Sequence, residues 1–256
     1  LTAIGSGKGG TGKTFIALTL AQAFADLGER VLLCDADLGL SNTAVHLGLA
    51  KSGDLPGYIS GRTPLKAATA TVETAHHPKF DLLAAPAGTG FLGDADKAMV
   101  ERLGNLLRHV PGYDRVIVDL GAGIGDSVLS LAALSDDVVT VMTPDPAALT
   151  DAYAFIKLVL KRTGGRAPGV VVNMATNAAE AKRTADALTT SARSFLKVTP
   201  AYLGFVPSDM RVVEALRRQT SLWTACPQSP VLSAVTGLTA LLGGQSTRIQ
   251  AAGSLR

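Results

Sequence analysis

Eight consecutive residues near the start, Gly7-Lys8-Gly9-Gly10-Thr11-Gly12-Lys13-Thr14, fit the pattern G-x-x-x-x-G-K-[ST] and restrict the fold more than any other stretch of the chain. They follow an apolar run, Leu1 to Ile4, and precede a helical pattern from Phe15 to Leu27. Strand, glycine loop and helix in that order form a phosphate cradle. Successive backbone N–H groups converge on phosphate oxygens at the positive end of the helix. Gly9, Gly10 and Gly12 let the backbone approach those oxygens with no side chain in the way. Lys13 is expected at the β- and γ-phosphates and the Thr14 hydroxyl on Mg²⁺. The residues assigned to the nucleotide from this stretch are Gly7, Lys8, Gly9, Gly10, Thr11, Gly12, Lys13, Thr14 and Phe15. The competing reading is a glycine-rich turn before an ordinary helix. A chance match in a chain of this length is on the order of 1%.

Apolar runs of strand length alternate with helical patterns along most of the 256 residues. Strands are predicted at 2–5, 30–34, 80–84, 115–119, 138–142, 170–173 and 201–205, and helices at 96–109, 127–134, 147–162 and 178–195. Near-continuous Val/Ile/Leu runs separated by helices indicate an α/β fold, doubly wound, with a mainly parallel sheet and helices on both faces. A hydrophobic content of 47% suits one domain with a large buried sheet. Its expected extent is residues 1–243, with 244–256 as a mobile tail. A net charge of +3 tolerates an anionic partner without demanding one. Cys34 and Cys226 show no metal or redox spacing, which points to a reducing, cytoplasmic compartment. Cys34 reads as a small core residue. No apolar run reaches the ~20 residues of a membrane span. The chain starts without methionine, so a preceding segment is expected to have been removed.

In parallel sheets ligands bind beyond the carboxyl ends of the strands, so the residues after each strand carry the information. After the second run come Asp35-Ala36-Asp37-Leu38-Gly39-Leu40-Ser41-Asn42. Two acids there begin a turn or cap a helix, or they lie near the triphosphate and its metal. After the fourth run, Arg115-Val116-Ile117-Val118-Asp119 ends an apolar strand in an acid, which suits a Mg²⁺ ligand. The glycines that follow permit a loop able to respond to the γ-phosphate. Asn173 ends the sixth run and offers both donor and acceptor to a base edge. Pro207-Ser208-Asp209 follow the seventh, where Asp209 also reads as a helix cap.

The loop with its second lysine, Lys8, resembles the deviant Walker A loop of MinD/ParA-type P-loop ATPases. The resemblance implies that Lys8 reaches across a nucleotide-sandwich dimer to phosphates bound by the other subunit. It further implies that Asp37 orients the attacking water, that Asp35 supports Mg²⁺ directly or through a second contact, and that Asp119 holds the metal. Asn173, Pro207 and Asp209 would cradle the base. Lys8, Lys13 and Asp37 form the implied catalytic set, Thr14, Asp35 and Asp119 the metal set, and ATP/ADP with Mg²⁺ the cofactors. Within that group, Thr143-Pro144-Asp145-Pro146 followed by Asp151-Ala152-Tyr153-Ala154-Phe155-Ile156-Lys157 resembles the FlhG/FleN (YlxH) regulators of flagellar number and placement. The N-terminal activator segment of those regulators does not precede Leu1 in this sequence.

The resemblance implies an ATP-binding and hydrolysing molecular switch that dimerises with ATP and regulates flagellar number, flagellar placement or another form of cellular positioning. Its expected partners are a second copy of the chain and a regulatory protein, with slow, Mg-dependent turnover. A ParA-like partition ATPase that binds DNA non-specifically is the alternative. Its candidate basic residues are Lys182, Arg183, Arg211, Arg217 and Arg218, which otherwise read as solvated helix faces. Residues 243–256 show no continuous apolar stripe, so a peripheral position at the inner face of the membrane lacks a clear amphipathic anchor. The helix at 230–242 reads as the last packed one. An electron-transfer ATPase would need cluster-binding cysteines that Cys34 and Cys226 do not provide. The pair His76-His77 has no companions at metal spacing and reads as a loop feature.

Overall fold

The computed structural model describes residues 1–37, 42–74, 77–86 and 97–253. In chain order the strands are β1 (Thr2–Gly5), β2 (Val31–Ala36), β3 (Ala70–Thr74), β4 (His77–Leu83), β5 (Arg115–Leu120), β6 (Asp137–Met142), β7 (Gly169–Ala175) and β8 (Tyr202–Pro207). The helices are α1 (Lys13–Asp26), α2 (Thr43–His46), α3 (Leu55–Ser60), α4 (Leu65–Ala68), α5 (Lys97–Arg108), α6 (Asp126–Leu134), α7 (Pro146–Thr163), α8 (Ala178–Leu196), α9 (Met210–Arg217), α10 (Leu222–Ala225) and α11 (Pro230–Gly253).

The strands form one sheet in the order β3-β4-β2-β5-β1-β6-β7-β8. Every pairing is parallel except β3 with β4. Alternation along each strand sends side chains to the two faces of the sheet, where the described buried residues form three clusters, the third of them around Met142, Ile156, Val172 and Leu188. From β2 and β5, Val31, Leu33 and Ile117 join a core with Ile16, Leu20 and Phe24 of α1 and Val231, Val235 and Leu238 of α11. Leu32, Cys34, Val116 and Val118 face the other way, toward Leu103 of α5, Leu131 of α6 and Phe155 of α7. Covering both faces is why the central strands read as unbroken apolar runs. Cys34 is fully buried among them, and burial pushes its thiol pKa up.

Helix α1 is enclosed nearly all round by the sheet and α11, so even its polar Thr19 and Gln22 are buried. Thr19 Oγ1 donates within the helix to Phe15 O at 2.7 Å, and Gln22 Nε2 donates across to Pro78 O of β4 at 2.8 Å. Such a helix can carry the loop before it as a fixed platform.

Most of the predicted strands and helices fall within a residue or two of their observed bounds, while β4 starts three residues earlier than expected and α11 runs past 242 to Gly253. The short helices α2, α3, α4 and α10 and the strand β3 are not assigned from the sequence. The Ala-Thr-Val-Glu-Thr stretch of β3 is an edge strand with Val72 as its buried apolar side chain, so no sustained alternation announces it. Its partner β4 begins at His77, so this histidine opens a strand rather than lying in a loop; His76 lies outside the described residues, as do 38–41. Among the described residues no helix is long and apolar enough to cross a membrane.

Candidate nucleotide site

The loop from Gly5 to α1 takes its shape from two glycines in the left-handed region, Gly10 at φ 77° and Gly12 at φ 84°. Gly12 caps α1 with no side-chain hydrogen bond, which leaves the first N–H groups of that helix for an anion. The space around the loop is also restricted. A methyl group on Gly12 would overlap Asn173 Nδ2, and one on Gly7 would overlap the Asp151 carbonyl of α7. Ser6 Oγ donates to Lys8 O at 2.6 Å, and Gly123 N donates to Ser6 O at 3.1 Å, tying the loop to the segment after β5.

Lys13 is buried to 7% exposure at the start of α1. Beside it, β2 and β5 bring Asp35 and Asp119 into register as neighbours on adjacent strands. Both are 1% exposed. Asp35 is an organiser of the following chain: its Oδ1 accepts from Asp37 N at 3.0 Å and its Oδ2 from Thr43 N at 3.1 Å. Both Asp119 oxygens are buried without a hydrogen bond of good geometry among the described residues. Burial and the Asp35 charge push the Asp119 pKa up to about 8, with the Thr14 hydroxyl and the Lys13 charge pulling the other way. A buried carboxylate next to the Thr14 hydroxyl, with unused acceptor capacity, fits a divalent cation and its water shell. Among the described residues no group of three or more His, Cys, Asp or Glu converges. The Thr14 hydroxyl and the Asp119 carboxylate are oxygen donors of the kind that would hold Mg²⁺.

A pocket of about 300 Å³ opens beside the loop. Its lining brings together Gly10, Gly12, Lys13, Thr14, Phe15, Asn173, Pro207 and Asp209, all selected from the sequence. Asn173 is 3% exposed, and its Nδ2 donates to Thr11 O at 2.8 Å, so it braces the loop as well as facing the pocket. Asp209 caps α9 through Arg211 N at 2.9 Å and is held by the Arg211 guanidinium and the Ser229 hydroxyl. These partners hold its carboxyl below the usual range, the Arg211 side chain most.

Gly7, Lys8, Gly9, Thr11, Asp35, Asp37 and Asp119 do not line that pocket. Lys8 is turned away from it, with Nζ 2.9 Å from Asp145 Oδ1 at the start of α7. The Thr143 hydroxyl, Lys8 and the Ala148 N–H hold Asp145 well below the usual carboxylate range.

Asp145, Met174 and His46 are among the described residues at the site that the sequence reading does not select. Asp145 lies in a stretch singled out there, but its pairing with a residue 137 positions away needs the fold. Met174 sits against Gly12 with a left-handed backbone (φ 59°), a conformation its residue type gives no hint of. His46 lines the pocket from α2, and no motif or spacing marks it.

Fold and loop together define a P-loop nucleotide-binding domain. The chain belongs to the CobQ/CobB/MinD/ParA nucleotide binding domain family, whose profile matches residues 2–222. It is 35% identical over 230 residues to the antiactivator FleN of Pseudomonas aeruginosa, covering 89% of this chain and 80% of that one. It is 30% identical over 246 residues to the flagellum site-determining protein YlxH of Helicobacter pylori, covering 94% and 80%. Among solved structures, the MinD cell division protein of Aquifex aeolicus matches with a TM-score of 0.74 at 25% identity, over 95% of this chain and 96% of that one. The fold is also that of the septum site-determining protein MinD of Pyrococcus horikoshii, solved with Mg-ADP, at 23% identity and a TM-score of 0.75 over 94% of each chain.

Proposed function

We propose that the protein is an ATP-hydrolysing switch that dimerises around Mg·ATP and acts on a regulatory protein partner in flagellar number or placement. The observation that carries this reading is the second loop lysine. Lys13 already serves the phosphates of its own site, and Lys8 sits on the exposed side of the same loop, at the start of α7. Charge delivered from one subunit to the phosphates of the other follows the logic of an arginine finger. The relatedness to FleN and YlxH favours the flagellar setting over septum placement.

In the proposed reaction the loop N–H groups and Lys13 bind the β- and γ-phosphates. Asp37 orients a water for attack on the γ-phosphorus, and Asn173, Pro207 and Asp209 receive the base. Mg²⁺, when bound by Thr14 and Asp119, neutralises charge that builds on the phosphate oxygens. Catalysis then comes from positioning and charge, in keeping with slow turnover. A second reading, non-specific DNA binding, would use Lys182, Arg183, Arg211, Arg217 and Arg218; Lys182 is paired with Asp186, Arg211 with Asp209 and Arg218 with Glu214, which partly neutralises that set.

The test is sedentary in design: sedimentation of the chain with ADP, with ATP and with ATP after Lys8→Ala. An ATP-specific dimer that vanishes in the variant supports the switch; a monomer under every condition ends it.

A further inference from the structure

The pocket joins segments that the chain separates widely. Its lining includes Lys13 and Thr14 of α1, Val212 and Leu216 of α9, and His46 of α2. The His46 Nδ1 is shut off from water without a hydrogen-bond partner among the described residues, which is costly for a polar atom.

Helix α2 is held at both of its ends. Thr43 N donates to Asp35, the same carboxylate that accepts from Asp37 N, so the start of α2 and the water-orienting residue share one anchor. At the far end, Gly48 packs against the turn after α9. A methyl group there would lie 2.8 Å from Gln219 O, and both Gly48 (φ 63°) and Gln219 (φ 51°) hold left-handed backbones. A non-glycine residue in that region is sustained by the surrounding structure. Gln219 is fixed in turn by N–H donation to Leu216 O at 3.1 Å.

Helix α9 is lightly held. Ala215 is its one fully buried residue, while Met210 is 75% exposed and Val213 is 39% exposed. Elements with few buried contacts are those that shift when a ligand arrives. Filling the pocket presses on Val212 and Leu216 of this helix.

We infer that α2, through His46 and Gly48, couples occupancy of the pocket against α9 to the placement of Asp37, which lies outside the pocket lining, with His46 as a positioning residue. The chain of contact runs from α9 to Gln219, to Gly48 and His46, to Thr43, and through Asp35 to Asp37. The inference rests on the reading of this pocket as an ATP site with Asp37 at the attacking water.

The experiment compares single-turnover hydrolysis of ATP with that of ribose 5′-triphosphate, which carries the phosphates but no base. Wild-type protein is expected to turn over ATP about tenfold faster at saturation, a coupling of the size packed networks transmit. His46→Ala is expected to bring that ratio to about one through kcat while KM for ATP moves by less than about twofold. Gln219→Gly, which suits the left-handed backbone and lies outside the pocket lining, should lower the ratio in the same direction. A ratio unchanged in His46→Ala, a wild-type ratio of one, or an effect on KM alone overturns the coupling. Wild-type protein that neither binds nor hydrolyses ATP overturns the underlying nucleotide reading instead, and is told apart by that result.

Discussion

Lys8 Nζ and Asp145 Oδ1 stand 2.9 Å apart, an ion pair between the phosphate loop and the start of α7 in a single chain. The lysine proposed to act on a neighbouring subunit is thus held within its own. Exposed pairs of this kind are weak and screened by salt. Asp145→Asn preserves the cap on α7, because its side-chain oxygen still accepts from Ala148 N, while removing the charge. The variant is expected to dimerise with ATP about two- to fivefold more tightly at low ionic strength. Sedimentation equilibrium at two salt concentrations checks this, and a dimer weakened by Asp145→Asn contradicts it.

Lys8→Ala should leave monomeric ATP binding intact while weakening the ATP dimer by about 30-fold or more, the usual cost of truncating one partner of an interfacial charge pair. Titration with a fluorescent ATP analogue alongside light scattering separates the two effects.

Asp119 predicts an unusual pH profile. Its folded pKa of about 8 lies above the ordinary carboxylate value, so between about pH 4 and pH 8 the folded state without ligand holds a proton that the unfolded chain has lost. Stability from this group is therefore present at low pH and falls as pH rises through that window. Asp119→Asn removes the ionising group and should raise the melting temperature of the ligand-free protein by about 5 °C near pH 8.5, with little change near pH 4. The same variant should lose the added stabilisation that Mg²⁺ gives in the presence of ATP. Calorimetry across pH, with and without Mg·ATP, tests both signs.

Asp37→Ala should bind ATP normally and slow its hydrolysis by about a hundredfold, the lower range for removal of a residue that handles the attacking water. The dimer should accumulate as a result. Turnover equal to wild type takes Asp37 out of the mechanism.

Asn173 separates a base contact from a loop brace. Its Nδ2 donates to the Thr11 carbonyl, so Asn173→Asp would set a carboxylate oxygen against that carbonyl and should weaken ATP binding more than Asn173→Ala. Calorimetric titration of both variants decides; equal losses would mean the bond to Thr11 contributes nothing.

Much of the candidate site is legible in the sequence because its chemistry follows strand ends. Asp119, Asn173 and Pro207 each close an apolar run, and the sheet gathers such ends on one side. What was not legible depends on the path of the chain between those ends. Lys8 finds Asp145 only because Gly7 lets the loop lie against α7, where a side chain would strike the Asp151 carbonyl. His46 enters the pocket because Gly48 meets Gln219, a contact between segments that share no pattern. The polar edge strand β3 went unassigned for a related reason, since its stability comes from pairing with β4 more than from its own apolar content.

The position of β1 has a consequence for how the protein is made. Thr2 pairs with Ile117 on one side and with Asp137 on the other, so the strand that leads into the phosphate loop has no neighbour until the chain has grown well past its first hundred residues. Contacts that distant in sequence form late, because the intervening chain must be closed before they repay it. A nascent chain exposing residues 7–14 carries the whole motif but has no sheet to hold it. ATP can therefore meet a finished site only after β5 and β6 have emerged and docked, which makes nucleotide binding a readout of completed folding rather than a scaffold for it.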